Sequence, residues 1–598
     1  MGRTFRSGDP NRMIRRSRLR LLLLCLVLLP GAPALADITG FVRVEGSGTP
    51  GTPVAGAWVK VQADLATPGT FSGADGSFVL SGVPAGPLTI AASVPYLRSA
   101  PTNFLIGVAP GADGDSGVDI RLKILPAADN PAYVPADTSE CGACHFERYS
   151  QWATSHHAMS GQNVWVRDLF SGDGTAGGGA GYVFKTSHDA GETGFCATCH
   201  ASMQDIKDPR PQGVPFDEVD QQTGIEGIHC TTCHQLDSID EGNINALHYR
   251  GKATYRFPAG GPGVQTHQFV WGPMNDVSFD YMQASHSVLH TTATICASCH
   301  QYHNPDTDAP GQNTYTEWTE SFYAQPGPGY RVCQDCHQPA LTGLGTNCEF
   351  GGAERDGAER HAHTFIGSTP ETLAENIALT TTAEFGPAGT VLVTSSVDNF
   401  GAGHSFPTGV SVRNAILSIE ATLDGQPLAQ LSGPTIPFWG SDDVPGDQPG
   451  DLAGRPGKGF AKVLEGRING TGPVVRPVLF IDAEAVYSDT LIPSGAIDSS
   501  TFEFALPDGF VGQGVVDVTA TLLYRRGWRA LAVTKGWTVD AHGGPIEIEV
   551  ARNDLSVDVV GGTVLEIPTL SPGGLLALAL LLLAVAMAAL RRSAATRT

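Results

Sequence analysis

Five short segments of this 598-residue chain share one pattern, Cys-x-x-Cys-His: CGACH at Cys141, CATCH at Cys196, CTTCH at Cys230, CASCH at Cys296 and CQDCH at Cys333. They use ten of the twelve cysteines. In a reduced cytosolic protein a CxxC pair suggests zinc or thiol redox chemistry, and in an exported one a disulfide. Neither gives a reason for histidine to follow every pair directly. Two sulfurs on one short turn can form thioethers with the two vinyl groups of a haem, while the adjacent imidazole coordinates the iron. A single copy could be a surface disulfide or half a zinc ribbon, but five copies make haem attachment the economical reading. Cys141, Cys144, Cys196, Cys199, Cys230, Cys233, Cys296, Cys299, Cys333 and Cys336 are then the attachment residues, and His145, His200, His234, His300 and His337 the proximal ligands.

This reading also explains an anomaly of composition. From Thr138 to Phe365 the only leucines are Leu169, Leu236, Leu247, Leu289, Leu341 and Leu344. So long a segment cannot bury a conventional core with so few aliphatic side chains. Five flat, apolar macrocycles supply what is missing.

The chain ends place the protein. Seven arginines before residue 21 precede an apolar run, Leu21 to Leu29, then Pro30 and Ala34-Leu35-Ala36. That is a secretory signal peptide over 1–36, which carries Cys25 away with it. At the other end, an apolar stretch from Leu575 to Leu590 is closed by Arg591 and Arg592. It is long enough to span a bilayer, with its arginines on the cytoplasmic side and the body of the protein on the other. Led by Ile567-Pro568-Thr569-Leu570, this terminus (561–598) resembles the IPTL-CTERM sorting signal of Gram-negative bacteria, and an ordinary tail anchor is the alternative. The resemblance implies a sorting or processing enzyme as partner. Over the full chain, a formal charge of −23 argues against nucleic acid and for solubility or basic partners.

Three regions follow from patterning. Over 37–125, short alternating runs broken by Gly and Pro, with Asp75-Gly76 as a hairpin turn, predict antiparallel strands. The runs ITGFVRV, PVAGAWVKV and ADGSFVLSGVPAG resemble a carboxypeptidase regulatory-like domain, which implies a small β-sandwich serving as spacer or docking module. A Pro/Ala/Asp-rich linker, 126–137, leads into the haem-packed region, 138–367, expected to be mostly helical or irregular. Alternation returns over 368–560 in GTVLVTSSV, RNAILSIEATL and VVDVTATLLYRR, predicting a second, larger β-sandwich. The fold class is therefore multidomain: sandwich, pentahaem region, sandwich and transmembrane helix.

Each iron has a sixth position, and thirteen of the eighteen histidines lie outside the motifs. The ordered set ICASCHQY, NTYTEWTESFYAQPG, CQDCHQP, HAHTFIG and GAGHSFPTG resembles the multihaem cytochromes c related to the tetrahaem electron carrier of nitrifying bacteria. On that resemblance, QWATSHHAM implies His157 as a distal ligand, ASHSVL implies His286, HTFIG implies His363 and GHSFPTG implies His404. His229 is chosen on physical grounds: abutting Cys230, it is held beside one haem and can face another, the alternative being a solvent-exposed neighbour. The chain departs from the family's usual CxxCHMP at the fifth motif, where Gln338 replaces Met, and no motif ends in the lysine of the pentahaem ammonia-forming nitrite reductases. Met159, Met203, Met274 and Met282 have no motif behind them.

Two functions remain. One is an electron carrier whose five haems have both axial positions closed, passing electrons between a membrane donor and an extracytoplasmic acceptor through redox partner proteins. The other is an oxidoreductase that keeps one haem open to a small nitrogen or sulfur compound. The surplus of histidines favours the first. An adhesion or scaffold role alone leaves five haem sites unexplained. Cys348 is the odd cysteine, a buried thiol or an inter-chain partner.

Overall fold

The structure is a computed structural model that describes residues 36–562 and 572–595, apart from 174–176, 212, 221–223, 259–267, 280 and 387–388. The signal segment with Cys25, His267 and the Ile567–Leu570 motif lie outside the described residues.

The N-terminal region folds as two packed sheets. Strand Ala36–Val44 lies between Ser77–Val83 and Val118–Leu122 in one, and Trp58–Val61, Pro87–Ser93 and Gly107–Ala112 form most of the other. Alternate residues, among them Ile38, Val42, Val59, Phe78, Leu80, Ile90 and Ile120, fill the space between them. Two expectations are corrected. The pairing is not wholly antiparallel, because Ala36–Val44 runs parallel to Val118–Leu122. Asp75-Gly76 does form a turn, with Gly76 at a φ of 80°. The strands it joins, Thr70–Phe71 and Ser77–Val83, belong to different sheets, so the turn is a crossover and not a hairpin. Alternation encodes which face is buried but not the direction of the neighbouring strand.

The motif region contains short helices, of four to eight residues, and three two-stranded pairs joined by irregular chain. Its apolar side chains form small separate clusters, such as Phe170, Phe184, Val214 and Phe216 in one and Met203, Leu236, Tyr249 and Tyr255 in another. The leucine-poor composition thus produces satellites, without the single contiguous core usual for a domain.

The C-terminal region is the larger sandwich. A four-stranded sheet, ordered Ala378–Phe385, Thr390–Asp398, Ile497–Ala505 and Ala429–Ser432, faces a sheet centred on Asn414–Leu423 and Gln513–Arg525 and edged by Glu547–Val560. Val391, Val393, Leu417, Ile419, Phe502, Phe504, Val518 and Leu522 form its core. The last described element, Pro572–Ala595, contains a 19-residue stretch of mean hydropathy 2.6, fully exposed. At 1.5 Å per residue it is about 28 Å long, enough to cross a hydrocarbon core.

Both sandwiches are built into the middle region. From the N-terminal side, Tyr96 and Ile106 donate backbone N–H groups to His286 and Ala284 (2.7 and 2.9 Å), and Tyr96 packs edge-on against the wholly buried Trp271. From the C-terminal side, Trp537 stacks on Trp165 at 4.3 Å and its indole N–H donates to Asp168 at 2.7 Å. A spacer would make no such contacts. The N-terminal sandwich is a structural part of the motif region.

Candidate haem and electron-transfer site

Four of the five motifs lie wholly on short helices: Cys196–His200, Cys230–His234, Thr294–His300 and Cys333–His337. The first ends Thr138–Gly142 and turns directly into Phe146–Ala153. A single helical turn sets the two sulfurs and the imidazole of each motif on one side, as double attachment to one macrocycle requires. The described cysteines are all free thiols, so no CxxC pair has closed on itself. Among the described residues no three His, Cys, Asp or Glu side chains converge to hold a metal ion by themselves.

Motifs one, three, four and five line a single cavity of about 1730 Å³. The thiols fix their order in space. Cys141 lies within hydrogen-bonding reach of Cys230, Cys296 of Cys333, and Cys199 of Cys299, while Cys233 lies within electrostatic range of Cys296 and Cys299. The motifs therefore run one, three, four, five, with the second motif branching from the fourth. Sequence order does not give this path. Cys348 stands beside Cys144 at the first motif, half-buried.

The imidazoles supply the most specific geometry. With metal–nitrogen bonds of about 2 Å on either side of one iron, two ring centres lie roughly 6 Å apart. Three pairs have this separation: His157 with His300 at 6.4 Å, His337 with His404 at 6.4 Å and His234 with His290 at 5.8 Å. Each joins one motif histidine to one histidine from outside the motifs. His157 and His404 are the residues chosen from the sequence. His290 was not chosen; it stands four residues after His286 on the turn Val288–Thr291, and its only sequence signal is closeness to Cys296. Its Nε2 lies 2.9 Å from the Cys233 carbonyl, so ligation by that nitrogen requires the ring to turn. His286 ends strand Met282–His286, paired with Gly272 beside the third motif, and its buried Nδ1 has no partner among the described residues.

His229 is buried, 2% exposed, and lines the cavity. Its Nδ1 accepts from the Thr231 N–H at 3.3 Å, capping the helix of its own motif. Its Nε2 has no partner among the described residues, an expensive arrangement unless something binds there. Burial is the main cause that lowers its pKa, and Asp137, which precedes the first motif, opposes that shift. His363 lines the cavity within electrostatic range of His145 and His234, with its Nδ1 at 3.2 Å from the His361 carbonyl. Among the described residues, neither His145 nor His200 pairs with another imidazole at such a distance; His200 packs edge-on against Phe216 at 5.9 Å.

The remaining nitrogen of most motif histidines is tied down. Nδ1–H donates to a backbone carbonyl from His145 (to Asn347, 2.5 Å), His234 (to Trp271, 2.8 Å) and His337 (to Ile366, 2.5 Å), which leaves Nε2 with its lone pair. The Gln312 side-chain Nε2 sits 2.9 Å from the Nδ1 of His300; only with the amide turned over would its oxygen accept from Nδ1–H as the carbonyls do. His200 Nδ1 has no such partner among the described residues. Burial pushes His157, His200, His229 and His404 down to about 4, and His290, His300 and His363 down to about 3, so all stay neutral at physiological pH. Only neutral imidazole can ligate a metal.

His404 comes from the C-terminal sandwich, on the non-strand loop between Thr390–Asp398 and Asn414–Leu423. The buried Asn399 holds this loop by donating to the carbonyls of His404 and Ile492 at 2.8 and 3.0 Å. Aromatic residues of the segment 314–328 brace it from outside: Tyr323 donates to the Gly401 carbonyl, and Trp318 and Tyr323 border Gly403. Of the methionines, Met203 is buried in an apolar cluster, Met159 lies 3.1 Å from His542 Nδ1, and Met274 and Met282 line the cavity.

No protein-family model matches the chain, and no curated protein matches it. Among solved structures it is similar to a penta-heme cytochrome c552 from Thermochromatium tepidum, at 21% identity and a TM-score of 0.46, over 70% of this chain and 98% of that one. A second likeness, to AvmM, which catalyses macrocyclization in alchivemycin A biosynthesis, has 11% identity and a TM-score of 0.14 over 31% of this chain and 90% of the other. At these scores neither likeness bears on function.

Proposed function

We propose that this chain is an exported pentahaem c-type cytochrome that carries electrons between a membrane donor and an extracytoplasmic acceptor, anchored by its C-terminal helix. The observation that carries this reading is the set of three imidazole pairs, each one motif histidine and one partner, spaced for an iron between them. Bound haem supplies a reversible one-electron couple at iron. The chain's own residues attach it through ten cysteines, hold Nε2 lone pairs toward it through carbonyl bonds at Nδ1, and line its edges with apolar side chains. A second imidazole facing His234, His300 and His337 would leave no coordination site for a substrate at those three motifs, which favours conduction over catalysis. The helix Pro572–Ala595 and the IPTL motif before it support attachment to the inner membrane with the body outside the cytoplasm, at least until a processing enzyme acts on the tail.

The reading is tested by electron paramagnetic resonance of the resting oxidised protein, together with its mass. A five-haem mass increment and a wholly low-spin spectrum are expected. A high-spin component that binds nitrite or hydroxylamine at iron would replace the carrier reading with the enzyme reading. His404→Ala is expected to convert one haem in five from low to high spin while the other four keep their spectra. An unaltered spectrum removes His404 from the ligand set.

A further inference from the structure

Lys252 is 1% exposed and among the largest fully enclosed side chains. It follows the turn Tyr249–Gly251, whose Tyr249 N–H donates to Thr198 Oγ1 inside the second motif at 2.8 Å. Its Nζ donates to the backbone carbonyl of Gln301, the residue directly after His300 of the fourth motif. The ammonium is thus held between the second and fourth motifs, within electrostatic range of Cys199 and Cys299 where these two thiols approach one another. No carboxylate among the described residues forms an ion pair with it, and the nearby Asp205 is taken by Arg250 at 2.8 Å. Burial pushes the Lys252 ammonium below the ordinary lysine value, and Cys199 and Cys299, which oppose that shift, carry no charge once they have become thioethers. A cation held there by a carbonyl dipole gains most from added negative charge beside it.

We infer that Lys252 is an electrostatic tuning residue that raises the reduction potential of the two haems attached at Cys196–His200 and Cys296–His300. The inference rests on the pentahaem reading above. Reduction adds one electron to each iron, ferric to ferrous, with no bond made and no proton moved. The site loses one positive charge, so a fixed cation beside it favours the reduced state, and favours it more strongly where burial lowers the dielectric. Because the fourth motif also adjoins the third and the fifth, electrons entering at either end of the path would collect on this pair. Lys252 would make the branch point the electron reservoir of the chain.

The test is a spectroelectrochemical titration of holoprotein carrying Lys252→Gln, with Lys252→Arg as the charge-preserving control. Two of the five one-electron steps are expected to move to lower potential in Lys252→Gln, three to stay, and Lys252→Arg to restore the wild-type curve. Five unmoved steps, or five that move together, overturn the inference. If Lys252→Gln does not mature, Lys252→Met keeps the length of the stem without its charge. The unaltered protein decides as well: NMR of its partly reduced states should show the haems of His200 and His300 reduced first, and any other order overturns the inference. Haem content is measured separately by mass. Material without covalent haem defeats the pentahaem reading itself, whereas five haems with unmoved potentials defeat only the role of Lys252.

Discussion

Made without covalently attached haem, the chain is expected to lose residues 138–367 to limited proteolysis while fragments near 36–125 and 368–560 survive. The two sandwiches have contiguous aliphatic cores of their own, and the middle region has only separate small clusters. The cavity of about 1730 Å³ that its walls line is open to solvent, and without haem it holds water in place of the apolar contacts that a core needs. Burial also pushes the Cys196 thiol up to about 12 and the Cys233 thiol up to about 11, although both are only half-buried at the surface. Expression in a host that lacks the machinery for covalent haem attachment provides the haem-free material. A protease-resistant middle region in that material would refute the expectation.

Asp276→Ala is expected to destabilise the protein by about 3–5 kcal/mol, the usual cost of removing one partner from a buried ion pair, and to loosen the N-terminal sandwich that is tied to the same carboxylate. Asp276 and Arg355 are 1% and 2% exposed, paired at 2.8 and 3.1 Å. Lys60 of the N-terminal sandwich reaches Asp276 at 3.4 Å and Glu359 at 3.5 Å, and the Ala63 N–H donates to Asp276 at 2.9 Å. Burial alone pushes the Asp276 carboxyl up, but Arg355, the Ala63 N–H and Lys60 outweigh it and hold the group below the ordinary carboxylate range. A depressed folded-state value means that this stabilisation is complete above the ordinary Asp range, near 4. It is lost as pH falls through the depressed value. The variant should lose this stabilisation at neutral pH and show a flatter stability profile below pH 4. Denaturant midpoints measured at neutral and acid pH check both parts, and an unchanged midpoint at neutral pH would show that the pair contributes nothing.

What depends on neighbours along the chain is readable without a fold: Cys-x-x-Cys-His places two sulfurs and an imidazole on one turn, and four of the five copies lie wholly on short helices. The two sandwiches were legible because alternation marks a half-buried strand, and the predicted limits near 125 and 560 fall close to the observed strand ends Leu122 and Val560. His157 and His404 were picked out only by short segments around them that resemble a family, and each stands 6.4 Å from a motif imidazole. Tertiary structure decided the rest. It paired His157 with His300 and His337 with His404, ordered the motifs one, three, four, five, and brought His290, not chosen from the sequence, to 5.8 Å from His234. It also joined the N-terminal sandwich to strand Met282–His286 through backbone hydrogen bonds, which leave no mark in a side-chain pattern. The reason is common to these cases. A covalent motif is specified by residues three or four apart, whereas an axial pair or a strand partner is specified by the path of the chain between residues far apart, and that path depends on every packing contact at once.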